Sequence, residues 1–177
     1  MTPAYLHPLT PTTLMTWPTA YAPILNVFLD VAPTKVTGTA YYKNTNRDRY
    51  LAARKRMGID STTSVDEVLL YNTAGEVTEG SLRTISVWRD GCWVTPPLSS
   101  GCMDGSVRRW MLSTKKVREA RILKEDLRPG EWVLTCNGIE GCCFGKFVRM
   151  GRDEYDAVRG QDTLPGHSTI EYSFSRS

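Results

Sequence analysis

The feature that most constrains the fold is a series of short apolar segments separated by turn residues between positions 66 and 97. The segment "DEVLLYN" (66–72) is strongly apolar and is followed by "TAGE", which predicts a turn. The segment "LRTISVWRD" (82–90) alternates apolar and polar residues, as a β-strand does. The next "DG" predicts a hairpin turn, after which "CWVTPP" (92–97) returns as a strand.

Further strands are predicted on both sides of this series. "ILNVFLDV" (24–31) has the composition of a buried strand, and "TGTAYY" (37–42) is a shorter candidate. After the turn "RPG", residues 131–136 predict another strand, and "CCFGKFVRM" (142–150) predicts the last one.

Two segments have helical periodicity instead. "NTNRDRYLAARKRMG" (44–58) carries the capping-box pattern Thr45-x-x-Asp48. "SVRRWMLSTKKVREARI" (106–122) predicts a second helix, whose apolar side contains Val107, Trp110, Met111 and Val117. Because strands and helices do not alternate strictly, these elements favour an α+β fold over a doubly wound sheet.

The length of 177 residues suits one domain with flanking segments. We predict a Pro/Thr-rich arm over 1–24, a folded domain over 25–150 and a polar tail over 151–177. The net charge of +3 is too small to indicate nucleic-acid binding. The chain has neither a membrane-spanning apolar run nor a secretion signal, so we expect no membrane association and a cytoplasmic location.

Cysteine and histidine usage excludes several kinds of site. An odd count of five cysteines, two of them adjacent, does not suit a disulfide framework, and reduced, mostly buried thiols are expected. The two histidines, His7 and His167, lie near the ends, so no metal site is predicted. They also leave no central imidazole for a Ser-His or Cys-His nucleophile.

Four features at the ends of elements are candidate functional residues, and each has a structural alternative. Lys43 is either a surface lysine or a reactive amine whose pKa a neighbouring cation such as Arg47 or Arg49 depresses. Glu79 is either a turn acid or a buried carboxylate that needs a cationic partner. Asn137 is either a turn residue or a hydrogen-bond donor to an oxyanion.

The fourth feature is the turn "SSGCMDGSVRR" at the start of the second helix. It is either a well-capped helix end or a seat for a phosphate, which the backbone N–H groups of Gly105, Ser106 and Val107 would bind. The basic residues that follow, up to Lys124, favour a solvated helix face over a nucleic-acid patch.

Read together, these segments resemble the large C-terminal domain of the class IV aminotransferases, the fold-type IV pyridoxal-phosphate (PLP) enzymes. The resemblance covers roughly residues 25–148 and is most specific in "EVTEGS" followed by "TPPLSSG". Details such as "KNTNRDRYLAAR" and "EGSLRT" favour the fungal aminodeoxychorismate-lyase-like branch. The resemblance implies strands in a pseudo-barrel with flanking helices, a PLP cofactor, a small-molecule substrate bearing an amino group, and a homodimer.

The resemblance also implies roles for particular residues. In the family, the lysine at the position of Lys43 forms a Schiff base with PLP and moves the proton at the substrate α-carbon. The acid at the position of Glu79 pairs with the pyridine nitrogen. The remaining cofactor-binding positions are Ser106, Val107 and Asn137, which match phosphate-binding residues, and Arg47, which matches an arginine near the cofactor.

The chain also departs from the family pattern. About 24 residues stand where family members have a small N-terminal domain, so we expect a truncated form whose cavity is open on one side unless a partner chain covers it. Asp48 stands where many aminotransferases carry an aromatic hydroxyl. Three hypotheses follow: a PLP-dependent lyase or aminotransferase, a scaffold without PLP that catalyses a cofactor-independent step in fungal specialised metabolism, and a non-catalytic binding module. Retention of Lys43 and Glu79 favours the first.

Overall fold

The computed structural model of the chain describes residues 24–36, 47–59, 66–139 and 141–148. Within these ranges the chain forms eight β-strands, two α-helices and two short 3₁₀ turns. In chain order the strands and helices are β1 (Leu25–Leu29), α1 (Asp48–Arg56), β2 (Glu67–Tyr71), β3 (Val77–Gly80), β4 (Thr84–Arg89), β5 (Cys92–Thr95), α2 (Ser106–Ser113), β6 (Val117–Glu119), β7 (Trp132–Asn137) and β8 (Gly141–Val148).

The strands form one mixed sheet in the order β3-β2-β1-β8-β7-β4-β5-β6. β1 runs parallel to β2 and β8, whereas β4 and β7 pair antiparallel. The segment after β6 returns to the opposite edge of the sheet, where Glu76 and Leu123 form a bridge and the N–H of Val77 donates to the carbonyl of Ile122 at 2.8 Å. These contacts bring the two edges together, so the sheet curls into a pseudo-barrel. The α+β prediction is confirmed.

The two faces of the sheet bury different clusters. On β1, Val27 packs into the largest apolar cluster, to which all the strands except β6 contribute. The next residue, Phe28, packs on the other face against α1. At the other end of the sheet, α2 places Val107 and Met111 against Leu134 and its neighbours. The alternation of each strand therefore fixes which residues line the interior and which receive a helix.

The predicted second helix is too long. α2 ends at Ser113, and Lys115 adopts a left-handed backbone with φ of 56°. Val117, which was predicted on the helix face, instead lies on β6 and pairs with Trp93 of β5. The predicted solvated basic face is also wrong in part, because the side chain of Arg108 is 2% exposed and pairs with Glu119.

The start of the first helix differs from the prediction as well. α1 begins at Asp48, and Arg47 occupies the N-cap position without a side-chain cap, so the Thr45 capping box is wrong. The predicted strands at 24–31, 66–72, 82–90, 92–97, 131–136 and 142–150 are confirmed within the described residues. The short strand at 37–42, nearly all of the arm and the tail lie outside them.

The cysteines are mostly buried, as predicted. Cys92 is half-buried, and the other four are buried. Within the ranges that the structure describes, no helix is both long and apolar enough to span a bilayer. The same ranges contain no group of three or more His, Cys, Asp or Glu side chains arranged to hold a metal ion.

Candidate active site

One cavity, with a volume of about 240 Å³, lies where four parts of the fold meet. These parts are the start of α1, the connection from β3 to β4, the loop that leads into α2, and the end of β7. The residues that line it are Arg47, Arg49, Tyr50, Glu79–Thr84, Met103, Gly105, Ser106, Val107, Cys136, Asn137, Gly138 and Ile139.

Glu79 reaches this cavity from β3, whose four residues are all buried. The glycine that follows makes the position possible. A Cβ at Gly80 would lie 2.8 Å from the carbonyl oxygen of Arg83 and 2.9 Å from Cδ of the Glu67 side chain. Only glycine allows so close an approach of backbone and carboxylate, which explains the order acid–glycine in "VTEGS".

The carboxylate of Glu79 is 5% exposed and already has partners within the chain. Its Oε1 accepts hydrogen bonds from Tyr50 Oη at 2.7 Å and from Arg49 Nη2 at 3.1 Å. Its Oε2 accepts one from the backbone N–H of Met103 at 3.3 Å. Burial raises the pKa of Glu79, and the Tyr50 hydrogen bond and the charge of Arg49 oppose the rise.

These contacts answer one prediction and add a residue that sequence reasoning missed. Glu79 was expected to be either a turn acid or a buried carboxylate with a cationic partner; it is buried, and the partner is Arg49. Tyr50 was not among the predicted site residues. One feature of the sequence could have indicated it: Asp48 stands where many aminotransferases carry an aromatic hydroxyl, and Tyr50, two positions later, brings a phenol into the cavity.

The N-terminus of α2 forms another wall of the cavity. Gly105 is the N-cap residue, in an extended conformation with φ of −72° and ψ of 148°, and no side chain caps the helix. The backbone N–H groups of the first turn, which begins with Ser106 and Val107, therefore have no side-chain capping acceptor. The alternative of a well-capped helix is wrong, and an uncapped N-terminus favours an anion.

Asn137 ends β7 beside this helix. Its Oδ1 accepts the N–H of Ile139 at 2.9 Å, which holds the amide in the turn before β8. The turn approaches α2 closely, because a Cβ at Gly138 would lie 3.6 Å from Ser106 Oγ. Asn137 and the first turn of α2 thus face one space.

Arginine side chains give the cavity a positive character. Arg47 donates to the carbonyl of Ser81 at 2.9 Å, and its guanidinium lies 5.2 Å from the centre of the Tyr50 ring. Arg83 pairs with Glu67, and Arg49 pairs with Glu79. Within the described residues Glu79 is the only acid among the lining residues, so the cavity suits an anionic ligand.

The structure brings together five of the six residues predicted for the site: Arg47, Glu79, Ser106, Val107 and Asn137. Lys43, the sixth, lies outside the described residues, and the roles of all six remain predictions.

Comparisons with known proteins agree with the fold. The family model "Amino-transferase class IV" matches residues 8–144, beginning within the segment predicted as an arm. A Schizosaccharomyces pombe protein described as an aminodeoxychorismate lyase is 30% identical over 142 residues, covering 77% of this chain and 61% of its own length. The aminodeoxychorismate lyase of Saccharomyces cerevisiae is 33% identical over 135 residues, covering 68% of this chain and 36% of its own. The chain thus spans between about a third and two thirds of these relatives.

Solved structures share the fold. A crystal structure from Mesorhizobium loti, described as an amino-acid aminotransferase, superposes with a TM-score of 0.64 at 27% identity, over 75% of this chain and 63% of that one. A hypothetical aminotransferase from Mycobacterium tuberculosis, in a form bound to α-ketoglutarate and PMP, has a TM-score of 0.54 at 16% identity, over 76% and 53% of the two chains.

Proposed function

This chain belongs to the class IV aminotransferase family, and we propose that it binds PLP in the cavity and acts on a small molecule that bears an amino group. The proposed chemistry is that of a lyase or an aminotransferase, with the aminodeoxychorismate lyases as the nearest guide to the substrate. One observation carries the proposal: a buried carboxylate and an uncapped helix N-terminus line the same cavity.

The donor and acceptor groups of the cavity fit PLP. Glu79 keeps acceptor capacity on Oε2, which suits a protonated ring nitrogen. The N–H groups of Ser106 and Val107 suit the phosphate, with Asn137 beside them. Gly105 and Gly138 add no side chain where the phosphate would lie, and Arg47 adds positive charge.

When bound, PLP supplies an electron sink for the α-carbon of an amino compound. The residues of the chain would hold and orient it: Glu79 would accept the ring N–H, and the N-terminus of α2 would bind the phosphate. Lys43 is proposed to bind the cofactor covalently through Nζ and to move the proton at the substrate α-carbon. A homodimer and a cytoplasmic location belong to the same proposal and rest on the family relationship.

The proposal is tested by adding PLP to the purified protein and reducing the mixture with borohydride. We expect a visible absorption band and a PLP label that mass spectrometry finds on Lys43. Lys43→Ala should abolish the label, whereas Lys55→Ala, an exposed change on α1, should keep it. A protein that stays colourless contradicts the proposal. Turnover of aminodeoxychorismate without PLP would favour a cofactor-independent scaffold, and binding without turnover would favour a non-catalytic module.

Ser106→Pro tests the phosphate seat separately. Ser106 is the first residue of α2, where proline is favoured because its N–H has no acceptor within the helix. The extended Gly105 is compatible with a following proline. The variant therefore keeps the helix and loses one N–H donor to a charged group. We expect PLP to bind about tenfold more weakly or worse, measured by absorbance titration.

The control for this change is Ser106→Ala, which keeps the backbone N–H and removes only the hydroxyl. It should bind PLP nearly as well as the wild-type protein. Equal affinities of the proline and alanine variants would show that the N–H of Ser106 does not bind the phosphate.

A further inference from the structure

The two side-chain partners of Glu79, Arg49 and Tyr50, form a compact group on α1, which we call the Glu79 clamp. Both donate to the same oxygen, Oε1. Arg49 also hydrogen-bonds the hydroxyl of Tyr50, and its guanidinium lies over the Tyr50 ring, 4.5 Å from the centre. Tyr50 is 5% exposed and packs with Ala53 on the apolar side of α1. The phenol therefore has little freedom to turn away from the carboxylate.

We propose that Arg49 and Tyr50 are positioning residues that hold the Glu79 carboxylate in one orientation, leaving Oε2 to accept a hydrogen bond from a bound ring N–H. The inference rests on the proposed function, since it concerns the atom that faces the cofactor. Within the described residues, Oε2 has only the Met103 N–H contact, at 3.3 Å, whereas Oε1 has two shorter ones. This asymmetry assigns one oxygen to the protein and the other to the ligand.

The clamp also controls the charge of the carboxylate. Burial raises the pKa of Glu79, and the chief opposing influences are the Tyr50 hydrogen bond, the charge of Arg49, the Met103 N–H and the charge of Arg47. A neutral carboxyl would offer the ring nitrogen an O–H donor in place of an anion. The clamp opposes this outcome, so that the ring nitrogen can keep its proton.

The other titratable groups around Glu79 stay neutral near pH 7 or have their own partners. Burial, followed by the charge of Glu79, raises the pKa of Tyr50 to about 12, so the phenol donates its proton in the hydrogen bond. Burial raises the pKa of Cys102, in the loop before α2, to about 11. Arg83, at the start of β4, pairs with Glu67.

Tyr50→Phe isolates the hydroxyl because the ring and its packing remain. In the apo protein we expect the pKa of Glu79 to rise, as measured by infrared titration of the protonated-carboxyl band, which Glu79→Gln identifies by its loss. With ¹⁵N-labelled PLP bound, we expect the ring-nitrogen resonance to move towards the unprotonated form. PLP should bind about tenfold more weakly, as expected for the loss of one hydrogen bond to a charged group.

Arg49→Met is the second variant and keeps the test decisive if Tyr50→Phe fails to fold. The Arg49 side chain is 25% exposed, so its loss should be tolerated more readily than a change at the buried Tyr50. It should change the Glu79 titration and the nitrogen resonance in the same direction. Lys55→Met removes a positive charge from an exposed position of α1 and should change neither. Thermal unfolding of each variant shows whether the fold is kept.

The outcomes separate this inference from the proposed function. If the wild-type protein binds PLP but the clamp variants leave both the Glu79 titration and the ring-nitrogen resonance unchanged, the clamp is overturned and the function stands. If the wild-type protein does not bind PLP, the proposed function is wrong, and the clamp proposal fails with it because no ring N–H is bound. A change in PLP affinity alone, without either spectroscopic change, also contradicts the clamp, because a purely structural defect would produce it.

Discussion

Replacing Glu67 with alanine is expected to lower the free energy of unfolding by about 3–5 kcal/mol, the cost of removing one partner from a buried ion pair. The Glu67 side chain is fully buried and pairs with Arg83 Nη1 at 3.1 Å. It also accepts from Ser81 Oγ at 2.6 Å and from the N–H of Leu82 at 3.2 Å. The variant therefore removes the carboxylate partner of a buried guanidinium. It also removes two hydrogen bonds that hold the β3–β4 connection.

A second buried arginine increases the expected loss. Arg54 of α1 donates to Ser81 Oγ at 3.0 Å, and burial lowers its pKa while the charge of Glu67 opposes the change. Without Glu67, two guanidinium groups share an apolar interior with less negative charge. Equilibrium denaturation at pH 7 measures the effect.

Two controls define what this result means. Glu67→Gln keeps the shape and the acceptor oxygen and removes the charge, so its loss of stability should be smaller. Glu125→Ala removes an exposed acid that pairs with Lys124 and should leave stability unchanged within error. If Glu67→Ala behaves like Glu125→Ala, the buried network does not support the fold.

Local patterns in the sequence predict most strands because each strand buries one face or both. β1, β2 and β5 lie within the predicted segments, and β7 and β8 each extend one residue beyond theirs. β3 was not predicted as a strand, because its four residues carry no clear alternation; Glu79 was placed only at the end of an element. Its burial comes from β2 on one side and from the segment after β6 on the other, a pairing across more than 40 residues.

The second helix shows how tertiary pairing overrides local periodicity. Val117 continues the apolar spacing of α2, so the sequence alone favours a longer helix. In the fold, Lys115 takes a left-handed conformation that ends the helix, and Val117 is buried as a strand residue beside Trp93. Val117 could be buried either on a longer helix or on a strand, and the pairing of β6 with β5 selects the strand.

The candidate site, too, was predicted from the sequence only in part. Glu79, the start of α2 and Asn137 were predicted because they lie at element ends, where cavities form, and because the family resemblance orders them along the chain. The clamp was not predicted, because Arg49 and Glu79 are 30 residues apart and α1 carries several arginines. A buried acid implies a cationic partner, but only the packing of α1 on β2 selects which one.

Glu79→Gln is expected to lower turnover of the PLP-loaded protein by at least about 100-fold, since it removes a preorganised charge at the ring nitrogen. Glutamine keeps the acceptor oxygen for Tyr50 and Arg49, so the clamp geometry remains. Its amide cannot compensate the charge of a protonated ring. Steady-state kinetics with saturating PLP measure the loss, which should appear in kcat.

The apo stability of this variant separates lost chemistry from a lost fold. Burial raises the pKa of Glu79 in the folded protein, so its contribution to stability is present below the ordinary carboxyl pKa and is lost as pH rises through the raised value. Glutamine does not ionise, so the Glu79→Gln variant does not lose stability in this way as pH rises. We therefore expect the apo variant at pH 7 to be at least as stable as the wild-type protein.

Glu76, three residues earlier and outside the cavity, is the matched control. A hydrogen bond from Asn72, together with Arg121, lowers the pKa of Glu76, so its contribution is present at neutral pH and is lost as pH falls. Glu76→Gln should therefore weaken the fold at pH 7 and keep catalysis in the surviving protein. Wild-type turnover by a PLP-loaded Glu79→Gln protein would contradict the assignment of Glu79 to the ring nitrogen, because no other described acid lines the cavity.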